Sequence, residues 1–403
     1  MSVASLAGLC VMLGLALLVS ERRRDICWRT VVCGLGLQVL TGWLVLRTGP
    51  GRMLFEFLKR GFVGVIGCSR AGAEFIFGPL MPSDGRFVFF ITVPCTLIFF
   101  SSLMALLYHW GIMQRIIRAM AWVMQRTMRT SGRESLVAAA NVFVGMTEAP
   151  LVIRPYLDNL TRSELMALMT TGLATVAGTV MALYVSWGIN AGHLMTAAVM
   201  SAPAALVFAK IIVPPQRDET PAEAGGAHAS HEHAVNALQA IAHGARDGLF
   251  LALNVCAMLI AMLSLIMLVN TLLAVTGLTI GGERVTLELL FGYLGYPVAR
   301  LLGVGAADAR VIGQLLSTQV FCTELVAYRG LVAHMETLAP RSAVIATYAL
   351  CGFANLASLA IMIGALQALA PARKNDVAKL AWKALLAGLL ASYSTAGIAG
   401  LLV

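Results

Sequence analysis

The sequence has little charge for its length. Of 403 residues, 12% are Asp, Glu, Lys or Arg and 59% are hydrophobic, whereas soluble domains carry about 25% charged residues. Too few polar side chains are present to cover a water-soluble surface of this size. The composition excludes an ordinary soluble domain and predicts a polytopic membrane protein.

Several motifs that would indicate other chemistry are absent. The sequence has no HExxH, no GxSxG and no cluster of metal ligands in an apolar run, which argues against an intramembrane hydrolase. Its eight cysteines are scattered without a CxxC pair, as expected of small packing residues. The net charge of +9 comes without a basic, aromatic-interleaved groove, so it indicates membrane topology and anionic lipid rather than nucleic acid.

Long apolar segments predict the membrane crossings. A helix needs about 20 apolar residues to span a bilayer. The first run is followed directly by "ERRRDICWR", the reverse of the charge pattern of a cleaved signal peptide, so it is expected to be retained. The predicted spans are 3–19, 29–47, 87–109, 165–187, 193–213, 248–275, 340–368 and 380–402.

Basic residues predict the orientation, because Lys and Arg concentrate in cytoplasmic loops. The loops 21–29 and 111–133 are rich in Arg. Alternation along the chain then places 214–246 and 372–379 inside as well, and both termini outside. We expect a multi-pass membrane protein with both termini on the outer side.

One segment reads as a flexible linker. Residues 214–237 are rich in Pro, Ala, Gly and charge and have no hydrophobic periodicity. "HASHEH" within it contains His228, His231 and His233. Without a rigid scaffold or a fourth protein ligand, a metal site is not expected there.

An internal echo relates the two halves of the chain. "NVFVGMTEAPLV" (141–152) and "QVFCTELVAYRG" (319–330) share a pattern, and each precedes an apolar helix broken by small and hydroxyl residues (172–182 and 351–364). Paired broken segments indicate the midplane site of a transporter. Irregular backbone at that depth is tolerated only where it is buried in protein or lines a cavity.

The echo contains two carboxylates, Glu148 and Glu324. An acid within the membrane costs on the order of 2.5–3.5 kcal/mol unless it is paired or hydrated, so a functional role is favoured. The alternative is a structural ion pair, of Glu148 with Arg154 or of Glu324 with Arg329.

Oxygen-bearing groups nearby are candidate ligands. Unwound backbone carbonyls hold sodium in transporters. Asn355 and Ser358, three apart on one helix face, are suited to substrate hydroxyls or, alternatively, to interhelical hydrogen bonds. The candidates for a cation are the side chains of Asn141 and Thr175 and the carbonyls of Val144 and Val176.

Six segments occur in the order of one known family. They are "SERRRDICWRTVVCGLGLQ", "FIFGPL", the region from "FFSSLMALLYHWG" to "RPYL", "TTGLATVAGTVMA", "TELVAY" and "ALCGFANLASLAIMIG". Together they cover almost the whole chain. The chain resembles a concentrative nucleoside transporter of the bacterial eight-helix type.

The resemblance implies an all-α homotrimer. Each protomer would have eight transmembrane helices and two oppositely oriented re-entrant hairpins, near 134–160 and 300–330, in an inverted repeat. The expected divisions are N-terminal scaffold helices and interfacial segments (1–133), the first hairpin with two helices (134–213), a flexible linker (214–247), a scaffold helix with an interfacial segment (248–299) and the second hairpin with the last two helices (300–403).

The resemblance also implies roles for individual residues. In the family a GQTEAP motif reads the nucleobase, which assigns Met146, Thr147 and Glu148 to the base. Sodium ligands map to Asn141, Val144, Thr175 and Val176. The ribose maps to Glu324, Phe353, Asn355 and Ser358. The expected function is not enzymatic: an inward ion gradient, with sodium favoured over protons, drives nucleoside uptake by alternating access, without a further cofactor.

The chain departs from the family pattern beside the site. Met146 replaces a glutamine, so a donor and an acceptor for a base edge become a weak acceptor. In the second motif, a usual Gly and Lys ahead of Asn-Glu-Phe are replaced by Ser317, Gln319, Thr323 and Leu325 around Glu324. Loss of the lysine favours the proton more than in relatives that keep it. These departures leave open a modified nucleoside with proton coupling. Because a sequence does not by itself show coupling, a passive channel or a receptor-like membrane protein is a further alternative.

Overall fold

The chain folds almost entirely into helices in a computed structural model, which describes residues 2–78, 89–216, 235–280 and 283–403. Two short strands, β1 (Thr279–Ile280) and β2 (Glu283–Arg284), pair antiparallel. The helices are α1 (Ser2–Val19), α2 (Trp28–Arg47), α3 (Gly49–Phe77), α4 (Phe89–His109), α5 (Ile112–Met128), α6 (Gly132–Asn141), α7 (Arg162–Ala174), α8 (Gly178–Ser186), α9 (Ala191–Ile212), α10 (Ala237–Val275), α11 (Leu287–Leu301), α12 (Ala306–Phe321), α13 (Glu324–His334), α14 (Pro340–Ala349), α15 (Leu356–Leu369) and α16 (Lys374–Leu402), with 3-10 segments at Arg23–Asp25, Ala149–Asn159 and Pro371–Arg373.

Each predicted span coincides with one helix or with a broken pair. Six helices of the described residues are long and apolar enough to cross a membrane, and α1 and α15 are shorter apolar helices. The fourth predicted span is the pair α7 and α8, and the seventh is the pair α14 and α15. Residues 87 and 88 of the third lie outside the described residues.

The predicted linker is too long at its C-terminal end. Residues 237–247 are the start of α10 rather than coil, because Asn236 caps the helix by accepting a hydrogen bond from the Gln239 amide at 2.9 Å. The predicted sixth span, 248–275, therefore leaves out residues 237–247 at the start of α10. Residues 217–234, including "HASHEH", lie outside the described part of the chain.

Helices α7 and α9 form the centre of the molecule. In span-length windows, 89% of the residues are buried both in the span Arg162–Ser186, which joins α7 and α8, and in α9, against 17% in α10. Helix α10 packs along α4 through Ala240, Gly244, Gly248 and Ala252, a one-turn repeat of small residues that lets two backbones approach closely. The α4–α10 pair thus leaves most of its apolar surface facing outward.

Several segments meet at one end of the bundle, here called the basic end. The Glu21 carboxylate accepts hydrogen bonds from Arg162 at 2.8 Å and Lys383 at 2.7 Å. Nearby, Lys210 and Glu134 form a buried ion pair of 2.5 Å. The α1–α2 loop, the starts of α6 and α7 and the end of α9 therefore share this end.

Other segments meet at the opposite end. The Ser5 hydroxyl donates to the Leu302 carbonyl at 2.9 Å, and Arg341 donates to the carbonyls of Gly303 and Gly400 at 2.6 and 2.5 Å. The start of α1 and the end of α16 lie together here, so both chain ends are on one side, as the charge pattern predicts.

The two hairpins enter from opposite ends. The first consists of α6 and the 3-10 segment Ala149–Asn159, whose outer ends lie at the basic end. The second consists of α12 and α13; Asp308 at its start accepts from the amide of Ala339 at 3.3 Å, beside Arg341. The outer ends of the two hairpins therefore lie at opposite ends of the bundle, in line with the orientation that the resemblance implies.

Candidate substrate and ion site

The turn of the first hairpin presents the GMTEAP motif. Helix α6 ends at Asn141, and Gly145 has φ +101°, a left-handed conformation that favours glycine. The turn leaves Met146 partly buried and Thr147 and Glu148 exposed. Polar side chains are therefore accessible at the tip of a hairpin whose helix α6 is almost entirely buried.

The turn docks on the break between α7 and α8. The Gly178 amide donates to the Phe143 carbonyl at 3.0 Å. A side chain at Gly145 would place its Cβ 2.9 Å from the Ala177 Cβ, so only glycine allows this approach. Because the turn and the break touch, the residues predicted to bind sodium come together.

The Asn141 side chain is half satisfied at this junction. Its amide nitrogen donates to the Thr171 hydroxyl at 3.0 Å, while its buried Oδ1 has no hydrogen-bond donor among the residues that the structure describes. Thr175 and Val176 lie in the break, both buried, and the Thr175 hydroxyl donates to the Val176 carbonyl at 3.3 Å. Val144 is buried in the adjoining turn. A buried oxygen that lacks a donor is a ready cation ligand.

The second hairpin positions Glu324 at the start of α13. Its carboxylate accepts hydrogen bonds from the Asn355 amide at 2.6 Å and from the Tyr184 hydroxyl at 3.4 Å. It does not pair with Arg329, so the structural ion pair is not the arrangement found. Glu148 likewise makes no ion pair with the residues that the structure describes.

The break between α14 and α15 supplies the other predicted ribose residues. Asn355 caps α15 by accepting from the Ser358 amide at 2.7 Å. Phe353, Asn355 and Ser358 are all buried. Glu324, Asn355 and Ser358 therefore form one connected polar group at the start of a helix.

The two halves of the site are in direct contact. A Cβ added at Gly172 would lie 2.9 Å from the Met146 Cβ and 3.7 Å from the Met362 sulfur, so both methionines pack close to this glycine. Similarly, a Cβ added at Gly352 would lie 3.1 Å from the Ala174 carbonyl oxygen. The first hairpin, α7 and the second broken span thus converge at one depth.

Glu148 faces the α4–α10 pair. Tyr108 on α4 and Asp247 on α10 are both near enough to interact electrostatically with its carboxylate. The exposed tip of the first hairpin therefore lies near the α4–α10 pair, which brings the polar groups of Tyr108 and Asp247 close to Glu148.

Two residues of this region were not predicted as site residues. Tyr184 on α8 connects the first broken span to Glu324 and stacks on Tyr328 with ring centroids 4.1 Å apart. Gln319 on α12 donates to the carbonyls of Leu350 and Gly352. No spacing signal marks Tyr184, whereas Gln319 stands at a place where the chain departs from the family motif.

Two broken spans and two opposed hairpins meet at one depth. Irregular backbone at the membrane midplane is tolerated where it is buried in protein or lines a cavity. This arrangement is typical of a secondary transporter.

Comparison with known proteins identifies the family. The models "Na+ dependent nucleoside transporter N-terminus" and "C-terminus" match residues 7–80 and 193–400, and "Nucleoside recognition" matches 90–190. The chain belongs to the Na+-dependent nucleoside transporter family.

Relatives span bacteria and mammals. The chain is 41% identical over 99% of its length to the uncharacterized transporter YutK of Bacillus subtilis, covering 98% of that protein. It is 40% identical to solute carrier family 28 member 3 of Rattus norvegicus and 38% identical to sodium/nucleoside cotransporter 1 of the same species. The chain spans 58% and 63% of those two longer proteins.

Solved structures of CNTnw share the fold. The structure in an inward-facing substrate-bound state matches with a TM-score of 0.94 and 39% identity, covering 100% of this chain and 98% of that one. A variant in an outward-facing state matches with a TM-score of 0.95 and 38% identity, with the same coverage. The relatives are transporters rather than enzymes, and two of their states support alternating access within the family.

Proposed function

We propose that the protein is a symporter that imports nucleosides with an inward cation gradient, sodium being favoured over the proton. The observation that carries the proposal is the buried Asn141 Oδ1, for which the described part of the chain supplies no hydrogen-bond donor. A buried unpaired acceptor costs about 1–3 kcal/mol, and a bound cation would remove that cost.

The surroundings of Asn141 favour sodium. The Asn141 amide nitrogen is already held by Thr171, so its oxygen is directed elsewhere. The break beside it offers the Thr175 hydroxyl and the carbonyls of Val144 and Val176, the kind of oxygen ligand that transporters use for sodium. Three relatives are named sodium/nucleoside cotransporter 1, which agrees with this choice.

The substrate is proposed to lie between the two halves. The polar group of Glu324, Asn355 and Ser358 suits ribose hydroxyls, with Phe353 as an apolar wall. The hairpin tip, with Met146, Thr147 and Glu148, suits the base. A Cβ added at Gly172 would lie 2.9 Å from the Met146 Cβ and 3.7 Å from the sulfur of Met362, which is one turn after Ser358 on α15. This proximity of the two groups supports one small molecule touching both.

Uptake by membrane vesicles tests the proposal. Labelled uridine and adenosine are offered with sodium and proton gradients imposed separately. Accumulation above the external concentration under a sodium gradient is expected, and Asn141→Ala should raise the half-saturating sodium concentration at least tenfold. Equilibration without accumulation would indicate a channel, and no uptake of either nucleoside would disprove the function.

A second candidate is a proton-coupled carrier of a modified nucleoside. Met146 favours it, because a polarizable thioether packs well against a larger or differently substituted ring but cannot read a base edge as an amide does. Accumulation driven by the pH gradient alone would select this candidate over the first.

The larger-scale assignments are proposals of the same kind. The hairpins with α7–α9 and α14–α16 would move against a scaffold that includes α4 and α10, in a homotrimer in the bacterial inner membrane with both termini periplasmic. The outward-facing apolar side chains on α3, such as Phe75 and Ile76, offer surface for lipid or a neighbouring protomer. Crosslinking of single-cysteine variants in membranes would test the trimer.

A further inference from the structure

Helix α5 (Ile112–Met128) has one buried apolar face. It joins α4 to the start of α6, and its last turn is held at the basic end, because the Thr30 hydroxyl donates to the Met128 carbonyl at 2.9 Å. Five residues of α5, spaced three or four apart, are buried: Met113, Ile117, Ala121, Met124 and Met128. A helix of 17 residues that contains three arginines is unsuited to crossing a bilayer. Helix α5 therefore lies at the surface of the basic end.

The opposite face of α5 is basic and exposed. Its residues, here called the α5 stripe, recur three or four apart and so share one side of the helix: Arg115, Arg118, Trp122, Arg126 and the C-cap Arg129, all exposed. The helix contains neither Asp nor Glu. Within the described part of the chain, no carboxylate forms an ion pair with Arg115, Arg118 or Arg126. The positive charge of the α5 stripe is therefore available to an external anion.

Two carboxylates at the basic end are engaged by other cations. Glu21 pairs with Arg162 and Lys383, and Glu134 pairs with Lys210. Because each carboxylate has its own cation, these acids do not neutralise the α5 stripe.

Exposed tryptophans surround the α5 stripe at this end. Trp122 lies within the stripe, Trp110 lies in the turn before α5, Trp28 begins α2, and Trp382 adjoins the ion-paired Lys383. Each of the four is more than half exposed. Tryptophan is enriched where a membrane meets water, because its ring is apolar and its N–H is polar. A face that met only water would gain nothing from an exposed tryptophan at its centre, so the α5 stripe fits the headgroup region of a membrane.

We propose that the α5 stripe binds the phosphate groups of anionic phospholipids, such as phosphatidylglycerol. A guanidinium donates two parallel hydrogen bonds to phosphate oxygens, and basic residues beside a membrane attract anionic lipid. An amphipathic helix with a basic face and an exposed tryptophan lies in the membrane surface for the same reasons. The proposal goes beyond nucleoside transport and does not depend on it, since it concerns the lipid partner of one surface helix.

Quenching of Trp122 by brominated lipid tests the proposal. The full chain is reconstituted in phosphatidylcholine vesicles that contain a minor fraction of phosphatidylglycerol. Bromine is carried on the acyl chains either of the phosphatidylglycerol or of an equal amount of the phosphatidylcholine. The Trp122 signal is the difference between wild type and Trp122→Phe. Because each arginine near an anionic surface is worth about fivefold in lipid affinity, brominated phosphatidylglycerol should quench Trp122 more strongly by about fivefold or more.

Single substitutions locate the bound lipid. Arg126→Gln should lower the preference for phosphatidylglycerol about fivefold, and Arg126→Lys, which keeps the charge, should retain most of it. Arg310→Gln is the matched control, because it removes one exposed arginine near the start of α12, at the opposite end of the bundle, and should leave the preference unchanged. A fall of the same size in Arg126→Gln and Arg310→Gln would show a general effect of net charge and overturn the location.

Salt separates charge from packing. Raising the salt concentration from about 0.1 to 1 M shortens the screening length from about 10 to 3 Å and should lower the preference for phosphatidylglycerol. A preference that salt leaves unchanged would contradict recognition through charge.

The remaining outcomes identify other occupants of the α5 stripe. Equal quenching by the two lipids, or quenching by neither, would overturn the proposal, because the stripe would then face water or lipid without selecting anionic headgroups. Inorganic phosphate added at matched ionic strength should not reduce the quenching. A loss of the preference on adding phosphate would assign the surface to a soluble anion instead of lipid.

Discussion

Single residues at this site act through the groups that they hold in place. Tyr184 donates to Glu324, and Asn355 joins that carboxylate to the start of α15. Met146 lies where Gly172 leaves room for it. Because each of these contacts joins different elements, changing one side chain should alter substrate affinity more than folding.

Met146→Gln should shift the choice of base. The amide adds one donor and one acceptor where a thioether offers at best a weak acceptor, so uridine affinity should improve by about tenfold to a hundredfold, the equivalent of about 1–3 kcal/mol. Half-saturating concentrations of uridine and adenosine are compared in wild type and variant. An equal change for both nucleosides would contradict a role in base selection.

Tyr184→Phe should raise the half-saturating nucleoside concentration about tenfold with little change in maximal rate, because a hydrogen bond to a charged group is worth about 1.5–3 kcal/mol. Tyr348→Phe is the matched control, since it removes a buried hydroxyl whose contact is His193 rather than the site. If the two variants behave alike, Tyr184 has only a packing role.

At the scale of elements, close approach of backbones shapes the molecule. Gly248 would place a Cβ 2.6 Å from the Ile98 Cα, and the same small-residue spacing continues along α10. The hairpins depend instead on breaks, where caps such as Thr323 and Asn355 begin new helices. Tightly packed helix pairs are thus marked in the sequence by small residues one turn apart, whereas broken spans are marked by capping residues.

Gly248→Ala should destabilise the protein, because α4 and α10 must move apart at a cost of about 1–3 kcal/mol. Gly364→Ala is the control: no atom of the described residues lies within 4 Å of its added Cβ, and alanine in a helix gains about 0.5–1 kcal/mol over glycine. Thermal unfolding of the detergent-solubilised protein measures both. Equal midpoints for the two variants would contradict tight packing of this pair.

At the scale of the whole molecule, the basic end ties distant parts of the chain together. Glu21 lies in the α1–α2 loop, yet it binds Arg162 at the start of α7 and Lys383 on α16. Hydrogen bonding from Arg162, with a contribution from Lys383, lowers the pKa of Glu21 to about 2. The ionised carboxylate is thus favoured in the folded protein.

The pH dependence of stability follows from that pKa. An unfolded Glu titrates near about 4.3, so the contribution of Glu21 is complete above that pH and is lost as the pH falls toward about 2. Glu21→Gln should lower the unfolding midpoint at pH 7 and flatten its fall between about pH 4 and 2. Glu56→Gln, which breaks a pair with Lys59 within α3, should not flatten it; an identical acid profile for Glu21→Gln and wild type would contradict the tie.

The sequence by itself determined where the chain crosses the membrane, where it breaks and which carboxylates lie at those breaks. These features depend on local runs of apolar residues and on the Gly, Thr and Asn that interrupt them. It placed Asn141, Glu148, Glu324 and Asn355 near one another only through the family pattern.

Only the tertiary structure decided which partners these groups have. Tyr184 reaches Glu324, Gln319 reaches Gly352, and Lys210 reaches Glu134, each pair far apart in sequence. Likewise, α10 begins at Ala237 in the structure, although the polar composition of this region predicts a linker. Such contacts are set by how helices pack, because a side chain's hydrogen-bond partner depends on distance in space, which composition and periodicity do not encode.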